Sequence, residues 1–231
     1  MPAGLTRMIQ ENDEGEMLLI DKPYRWTSFD VVKKIKHAGH FAKIGHAGTL
    51  DPLATGLLIL CTGRLTKQID TYQAQEKEYT GTLVLGTTTP SADLETAVDQ
   101  QYPTDHLDEA LLRHGARQLT GLLQQVPPMH SAVRVGGERL YQKARRGETV
   151  AIQPREVTVS VFELGRIELP EVDFRVVCSK GTYIRSLVRD FGSALRSGAH
   201  LTALRRTRIG EHYVSEAFTV EAFVRQASKE P

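Results

Sequence analysis

The chain has 231 residues, 40% hydrophobic and 25% charged, the composition of an ordinary soluble protein with enough apolar mass for one large domain or two small ones. A net charge of +1 neither demands nor excludes a nucleic-acid partner, and the longest apolar run, LLIL at 57–60, is far too short to span a bilayer. The opening MPAGLTRMIQENDEGE lacks an apolar signal-peptide core and carries acids. Cys61 and Cys178 stand far apart in apolar, strand-like contexts, so buried reduced thiols are expected rather than a disulfide or a cysteine-held metal. These features point to the cytoplasm.

Residues 1–15 read as a flexible lead-in and residues 16–231 as a single domain. EMLLIDKP is a short buried strand stopped by Pro23. Thr27 or Ser28 caps a helix with Val31, Val32 and Ile35 inward and Lys33, Lys34 and Lys36 largely opposite. After the glycine-rich KIGHAGTLDPLATG (43–56) comes a buried strand, LLILCTG, then a short helix over 64–73 and a strand, EYTGTLVLG. The pattern over 105–118 is helical, with Leu107, Ala110 and Leu111 inward. Residues 124–153 hold few apolar anchors, many basic groups, a Pro-Pro and a Gly-Gly, which suits a projecting insertion with a short helix, ERLYQKARR. Val157, Val159 and Val161 alternate, as do Val172, Phe174, Val176 and Cys178, giving two strands with one buried face each. Gly181 turns the chain into a helix with Leu187, Val188, Phe191 and Leu195 inward. Without a steady βαβ rhythm, the expected fold is α+β, a mixed, mostly antiparallel central sheet flanked by helices.

Asp51 stands out in 43–56. Pro52 drives it toward extended backbone, and Gly45 and Gly48 let a ligand approach the main chain. Two readings remain open for this residue alone: a turn former before proline, or an accessible carboxylate held toward a substrate. Basic clusters at 33–43, 139–146 and 205–208, each beside a turn-rich stretch, favour an anionic ligand. His46 has no second ligand at metal spacing.

KIGHAGTLDPLATGLL resembles the catalytic signature of the TruB-type pseudouridine synthases, which act on uridine 55 in the T loop of tRNA. LLIDKPYRWTSFDVV resembles the first motif of that family, EKEYTGTLVLGTTTPSADLE its tyrosine-bearing strand, and QVPPMHSAVRVGGERLYQKARRGE its RNA-clasping insertion. CSKGTYIRSLVRDFGSAL and HLTALRRTRIG resemble its closing motifs, so the likeness runs from about 17 to 210 in order. It implies a pseudouridine synthase fold and an intramolecular isomerase without cofactor or metal. Asp51 would be the catalytic carboxylate, acting on the ribose, abstracting a proton to give a glycal, or adding to C6 of the base. The resemblance further implies that Arg185 pairs with Asp51 and Tyr79 stacks on the extracted uracil. Tyr183 would line the pocket or orient Asp51, and Leu204, with Leu201 as its competitor, would supply an apolar wall.

His46 would contact the RNA and fill the space of the flipped base. Lys22 and Lys67 would touch phosphate or support the pocket, and Arg134, Arg139, Lys143, Arg145 and Arg146 would contact phosphates of the T arm. The family commonly has tyrosine and lysine where this chain has His130 and Arg134. The tail after Gly210 is too short for a separate C-terminal RNA-binding domain, so the catalytic domain alone would grip tRNA, as a monomer without an obligate protein partner. Other readings are an RNA-binding module without chemistry, a hydrolase pairing Asp51 with a second carboxylate, and the larger relative that works inside guide-RNA particles.

Overall fold

The computed structural model describes residues 14–228 apart from 130, 132 and 149; most of the expected lead-in, and His130, lie outside the described residues. The first elements are β1 (Met17–Lys22), α1 (Ser28–Ala38), β2 (Ile44–His46), β3 (Thr55–Thr62), a 3₁₀ turn (Gly63–Gln68) leading into α2 (Ile69–Ala74), and β4 (Lys77–Leu85). Next come β5 (Thr87–Thr88), β6 (Gln100–Gln101), α3 (Glu109–Gln118), β7 (Gly121–Gln125), β8 (Arg134–Val135), β9 (Glu138–Arg139) and α4 (Leu140–Arg145). The chain closes with β10 (Arg155–Glu168), β11 (Glu171–Cys178), α5 (Ile184–Ala194), β12 (Ala199–Ile209), β13 (His212–Tyr213), β14 (Phe218–Thr219) and α6 (Val220–Ala227). Two compact units result, one from the residues up to Tyr79 together with those from Leu204 onward, the other Thr80–Ala203.

In the first unit β1 pairs antiparallel with β3, Ile20 opposite Leu58, and parallel with β14. β3 also takes β2 antiparallel and β12 parallel, the latter with Arg206 opposite Gly56. Leu18 and Ile20 of β1 and Leu58 and Leu60 of β3 pack with Val31, Val32 and Ile35 of α1 and with Val220 and Phe223 of α6. The expected inward face of α1 is therefore correct, and Lys33, Lys34 and Lys36 are exposed. Ile59 and Cys61 belong instead to a cluster with Ala47 and Ile209, and burial pushes the Cys61 thiol up to about 11.

Helix α1 begins in a reciprocal cap. The Thr27 hydroxyl accepts from the Asp30 amide at 3.0 Å, and the Asp30 carboxylate accepts from the Thr27 hydroxyl at 2.6 Å and from the Thr27 amide at 2.9 Å; these last two bonds, the hydroxyl's first, hold the Asp30 carboxyl below its ordinary range. Thr27→Ala is expected to cost about 1 kcal/mol, which lowers the melting temperature by about 2–4 °C in a calorimetric scan.

In the second unit β10 pairs antiparallel with β7 and β11. The valine alternation expected along β10 breaks at Val161. A register shift between Val159 and Val161 reverses the phase, so Phe162 and Leu164 are buried while Val161 is only half-buried. Phe162 then meets Phe174 and Phe191 edge-on, with centroids 6.1 and 5.3 Å apart. Helix α3 starts later than expected because Asp108 caps it, its carboxylate accepting from the Leu111 amide. That start turns Leu112, Gly115 and Ala116 inward and leaves Ala110 exposed. Helix α5 buries Leu187, Val188 and Phe191, as expected, after Gly181 at φ +81°. Cys178 is buried. The basic stretch contains the two-strand β8–β9 hairpin turned by Gly136 and Gly137, followed by α4. The fold is α+β with mixed, mostly antiparallel pairing, as the sequence led us to expect.

Candidate active site

The loop between β2 and β3 carries Asp51, and its neighbours pin it from both sides. The buried Ser28 hydroxyl accepts from the Leu50 amide at 2.9 Å and donates to the Leu50 carbonyl at 3.2 Å. The Pro52 carbonyl accepts from the Arg25 amide at 2.9 Å and from Lys22 Nζ at 3.3 Å. Lys22 is fully buried, and its ammonium also donates to the carbonyls of Pro23 and Trp26. Gly48 at φ +96° and Gly56 at φ +104° provide bends that other residues resist. Asp51 itself is half-buried, and the residues on either side of it are anchored through their backbone.

Burial of Lys22 removes it from reach of any phosphate, so only the support role fits. Burial, opposed by the Asp51 carboxylate and reinforced by the Arg206 charge, lowers its ammonium to about 8. An unfolded lysine titrates at its ordinary 10.5, so between these values the unfolded chain binds more protons and stability rises with pH. Lys22→Met removes that contribution. From pH 8 to 10.5, urea unfolding should show the stability difference moving in favour of the parent by up to about 1.4 kcal/mol per pH unit.

His46 is half-buried at the end of β2. Burial first, and the Arg206 guanidinium second, hold its imidazolium below the ordinary range, so it is neutral at pH 7. Tyr79 lies on β4 and is 8% exposed. Leu204 is half-buried on β12, whereas the competing Leu201 is sealed in the core. Lys67 is exposed on the 3₁₀ turn.

In the second unit Tyr183 is the cap of α5, and the Gln125 amide clasps its backbone, accepting from its N–H at 2.8 Å and donating to its carbonyl at 3.1 Å. Arg185, in the first turn of α5, is 3% exposed. Its Nη1 donates to the Ser91 carbonyl at 3.1 Å and its Nε lies 3.7 Å from the buried Asp93 carboxylate. The sequence reading missed Asp93 and Gln125. The run TTTPSADLE contained the signal for Asp93, since a carboxylate amid Ser and Thr suits a tight polar turn. Here Asp93 Oδ1 accepts from the Glu95 amide at 2.9 Å.

In the insertion, two of the cations expected to contact phosphates have carboxylate partners within the chain. Arg146 donates to both Glu138 oxygens and to Glu148, and Lys143 lies 3.5 Å from each of these carboxylates. Arg134 pairs with Arg139 in the β8–β9 backbone register, and α4 ends at Arg145. In the C-terminal basic cluster the arginines are paired within the chain: Arg205 chelates Asp21 at 3.0 and 2.7 Å, Arg208 reaches Glu76 at 2.8 Å, and Arg206 is buried. Among the described residues no three His, Cys, Asp or Glu side chains come together as a metal site, and no helix is long and apolar enough to cross a membrane.

A half-buried carboxylate on a loop tethered at both flanks, with the buried Lys22 and Arg206 in the same unit, suits attack on, or stabilisation of, an electron-poor sugar carbon. The family model for TruB family pseudouridylate synthases (N terminal domain) matches residues 34–184, and that for the tRNA pseudouridylate synthase B C-terminal domain matches 185–230. The chain belongs to the TruB family. As a TruB-type pseudouridylate synthase it is an isomerase. The tRNA pseudouridine synthase B of Flavobacterium johnsoniae is 54% identical over 93% of this chain and 96% of its own, and that of Phocaeicola vulgatus 50% identical over 91% and 92%. Among solved structures, a Cbf5-Nop10-Gar1 complex matches with TM-score 0.72 and 29% identity over 96% of this chain. An H/ACA RNP bound to a substrate RNA containing 2′-deoxyuridine matches with TM-score 0.69 and 28% identity over 92% of this chain. The TruB-type chain spans only 56% and 53% of those two longer chains.

Proposed function

We propose that the chain isomerises uridine 55 in the T loop of tRNA to pseudouridine, with Asp51 as the reacting carboxylate. The observation that carries the assignment of Asp51 is its half-buried position on a loop whose residues 50 and 52 are both tied down. The target nucleotide leaves its stack, at a cost of a few kcal/mol, and base–aromatic stacking on Tyr79 returns about 1–3 kcal/mol. The N1–C1′ bond breaks, the uracil turns, C5 bonds to C1′, and the C5 proton is lost while N1 gains one, so mass is unchanged. Arg185, whose Nη1 donates to the Ser91 carbonyl and whose Nε lies beside Asp93, is the guanidinium we assign to aiming that carboxylate. Tyr183 and Leu204 line the base, and His46, neutral and half-buried, contacts the RNA.

Lys67, Arg134, Arg139 and Arg145 offer phosphate contacts, while Lys143 and Arg146 exchange their glutamates for phosphate on binding. Neither metal nor cofactor enters this scheme. The partner is the T arm of tRNA, the enzyme acts as a monomer, and its setting is the cytoplasm.

The test is incubation with an unmodified tRNA transcript followed by carbodiimide-dependent reverse-transcription mapping. A new stop at the T-loop uridine, with no free uracil released, is the expected result. Absence of that stop overturns the assignment, and released uracil would make the chain a hydrolase.

A further inference from the structure

The first unit holds a second buried cation that the scheme above does not use. Arg206 is 1% exposed, and a guanidinium so placed costs several kcal/mol unless its donors are satisfied. Its Nε donates to the Leu57 carbonyl at 2.7 Å and its Nη2 to the Gly48 carbonyl at 3.2 Å. These two carbonyls lie at opposite ends of the segment that carries Asp51, one three residues before it and the other six after. A single planar group thus spans the mouth of the loop, much as a tie rod would.

Two glycines border Arg206, Gly56 against its backbone and Gly48 beside its guanidinium. Gly56 lies opposite Arg206 in the parallel β3–β12 register, and a Cβ there would meet the Arg206 backbone carbonyl at 2.2 Å. A Cβ at Gly48 would sit 3.7 Å from Arg206 Nη1, so the guanidinium follows the backbone closely on that side too. On the two paired strands Leu57, Ile59 and Ile209 are fully buried. A buried guanidinium whose Nε and Nη2 are bonded to carbonyls on either side of one loop acts on that loop.

We propose that Arg206 is a positioning residue for Asp51, its fork tying Gly48 to Leu57 so that the intervening segment holds the carboxylate in one place. This rests on the assignment of Asp51 as the reacting group. Lysine has the charge but no fork and reaches only one of the two carbonyls; glutamine and methionine lose the tie and the charge.

The experiment compares wild type, Arg206→Lys, Arg206→Met and Asp51→Asn on an unmodified tRNA transcript. It measures the RNA dissociation constant by filter binding and the single-turnover rate at saturating enzyme. Misplacing a reacting group by about 1 Å costs about 10²-fold, so Arg206→Met should lose about 10²-fold in single-turnover rate with its dissociation constant within about threefold of wild type. Arg206→Lys should fall between the two in rate. A wild-type rate in a folded Arg206→Lys and Arg206→Met, or a loss confined to RNA affinity, overturns the proposal.

Should either variant fail to fold, ¹⁵N relaxation of the unaltered protein decides. Residues 48–57 should show order parameters near the rigid-backbone value of about 0.85, and values below about 0.6 overturn the proposal. Full activity in Asp51→Asn overturns the functional assignment instead, which keeps the two failures apart.

Discussion

Asp51→Asn should abolish pseudouridine formation, lowering the single-turnover rate by about 10³-fold or more while tRNA binding changes little. The asparagine is nearly the same shape, and the loop is held by backbone contacts of Leu50 and Pro52 to Ser28, Arg25 and Lys22 rather than by the carboxylate alone. The melting temperature should therefore stay within about 2 °C of the parent. Tritium release from C5-labelled uridine in tRNA reads the rate, and filter binding reads the affinity. A large loss of affinity with an intact rate constant would assign Asp51 to binding and leave the chemistry without its carboxylate.

Gly56→Ala should have the largest effect on stability. Its φ of +104° is a conformation that alanine resists, and the new Cβ would lie 2.2, 2.7 and 2.9 Å from the Arg206 carbonyl oxygen, amide nitrogen and carbonyl carbon. These are backbone atoms in a strand pair and cannot swing aside, so β3 and β12 must part locally. Adding strain of about 1–3 kcal/mol to that steric cost gives an expected fall in melting temperature of about 10 °C or more. Gly121→Ala is the control. It shares a positive φ, +109°, but a Cβ there meets nothing within 4 Å, so only the strain should appear. Equal effects from the two substitutions would mean that the close approach at Gly56 contributes nothing.

Local patterns carried most of the fold into view before any coordinates. The cap of α1, the burial of β1 and β3 and the inward face of α5 all follow from signals within a few residues of one another. What stayed hidden depended on distant partners or on phase. Ala110 seemed inward until Asp108 set where α3 begins, and Val161 seemed buried until the bulge in β10 inverted the alternation.

β12 escaped notice because ALRRTRI does not read as a buried strand. Its arginines are accommodated by Asp21, Glu76 and main-chain carbonyls far away in sequence. For the same reason that cluster read as a surface for anions. At the candidate site the mount of Asp51 was legible from its glycines and proline. The burial of the Lys22 ammonium and the meeting of Asp93 with Arg185 were not, because a local turn signal such as that around Asp93 does not say which charges will end up inside or together.

The burial of both cysteines has a practical consequence. Cys61 sits near the end of β3, the strand that leaves the Asp51 loop, with its thiol pushed up to about 11. An alkylating reagent can modify it only during the brief moments when that strand separates from its neighbours, so the labelling rate in native buffer is a stopwatch for those openings. Mass spectrometry of the Cys61 and Cys178 peptides, run with and without RNA, would time how often the platform comes loose and how far a substrate quiets it, with no engineered probe.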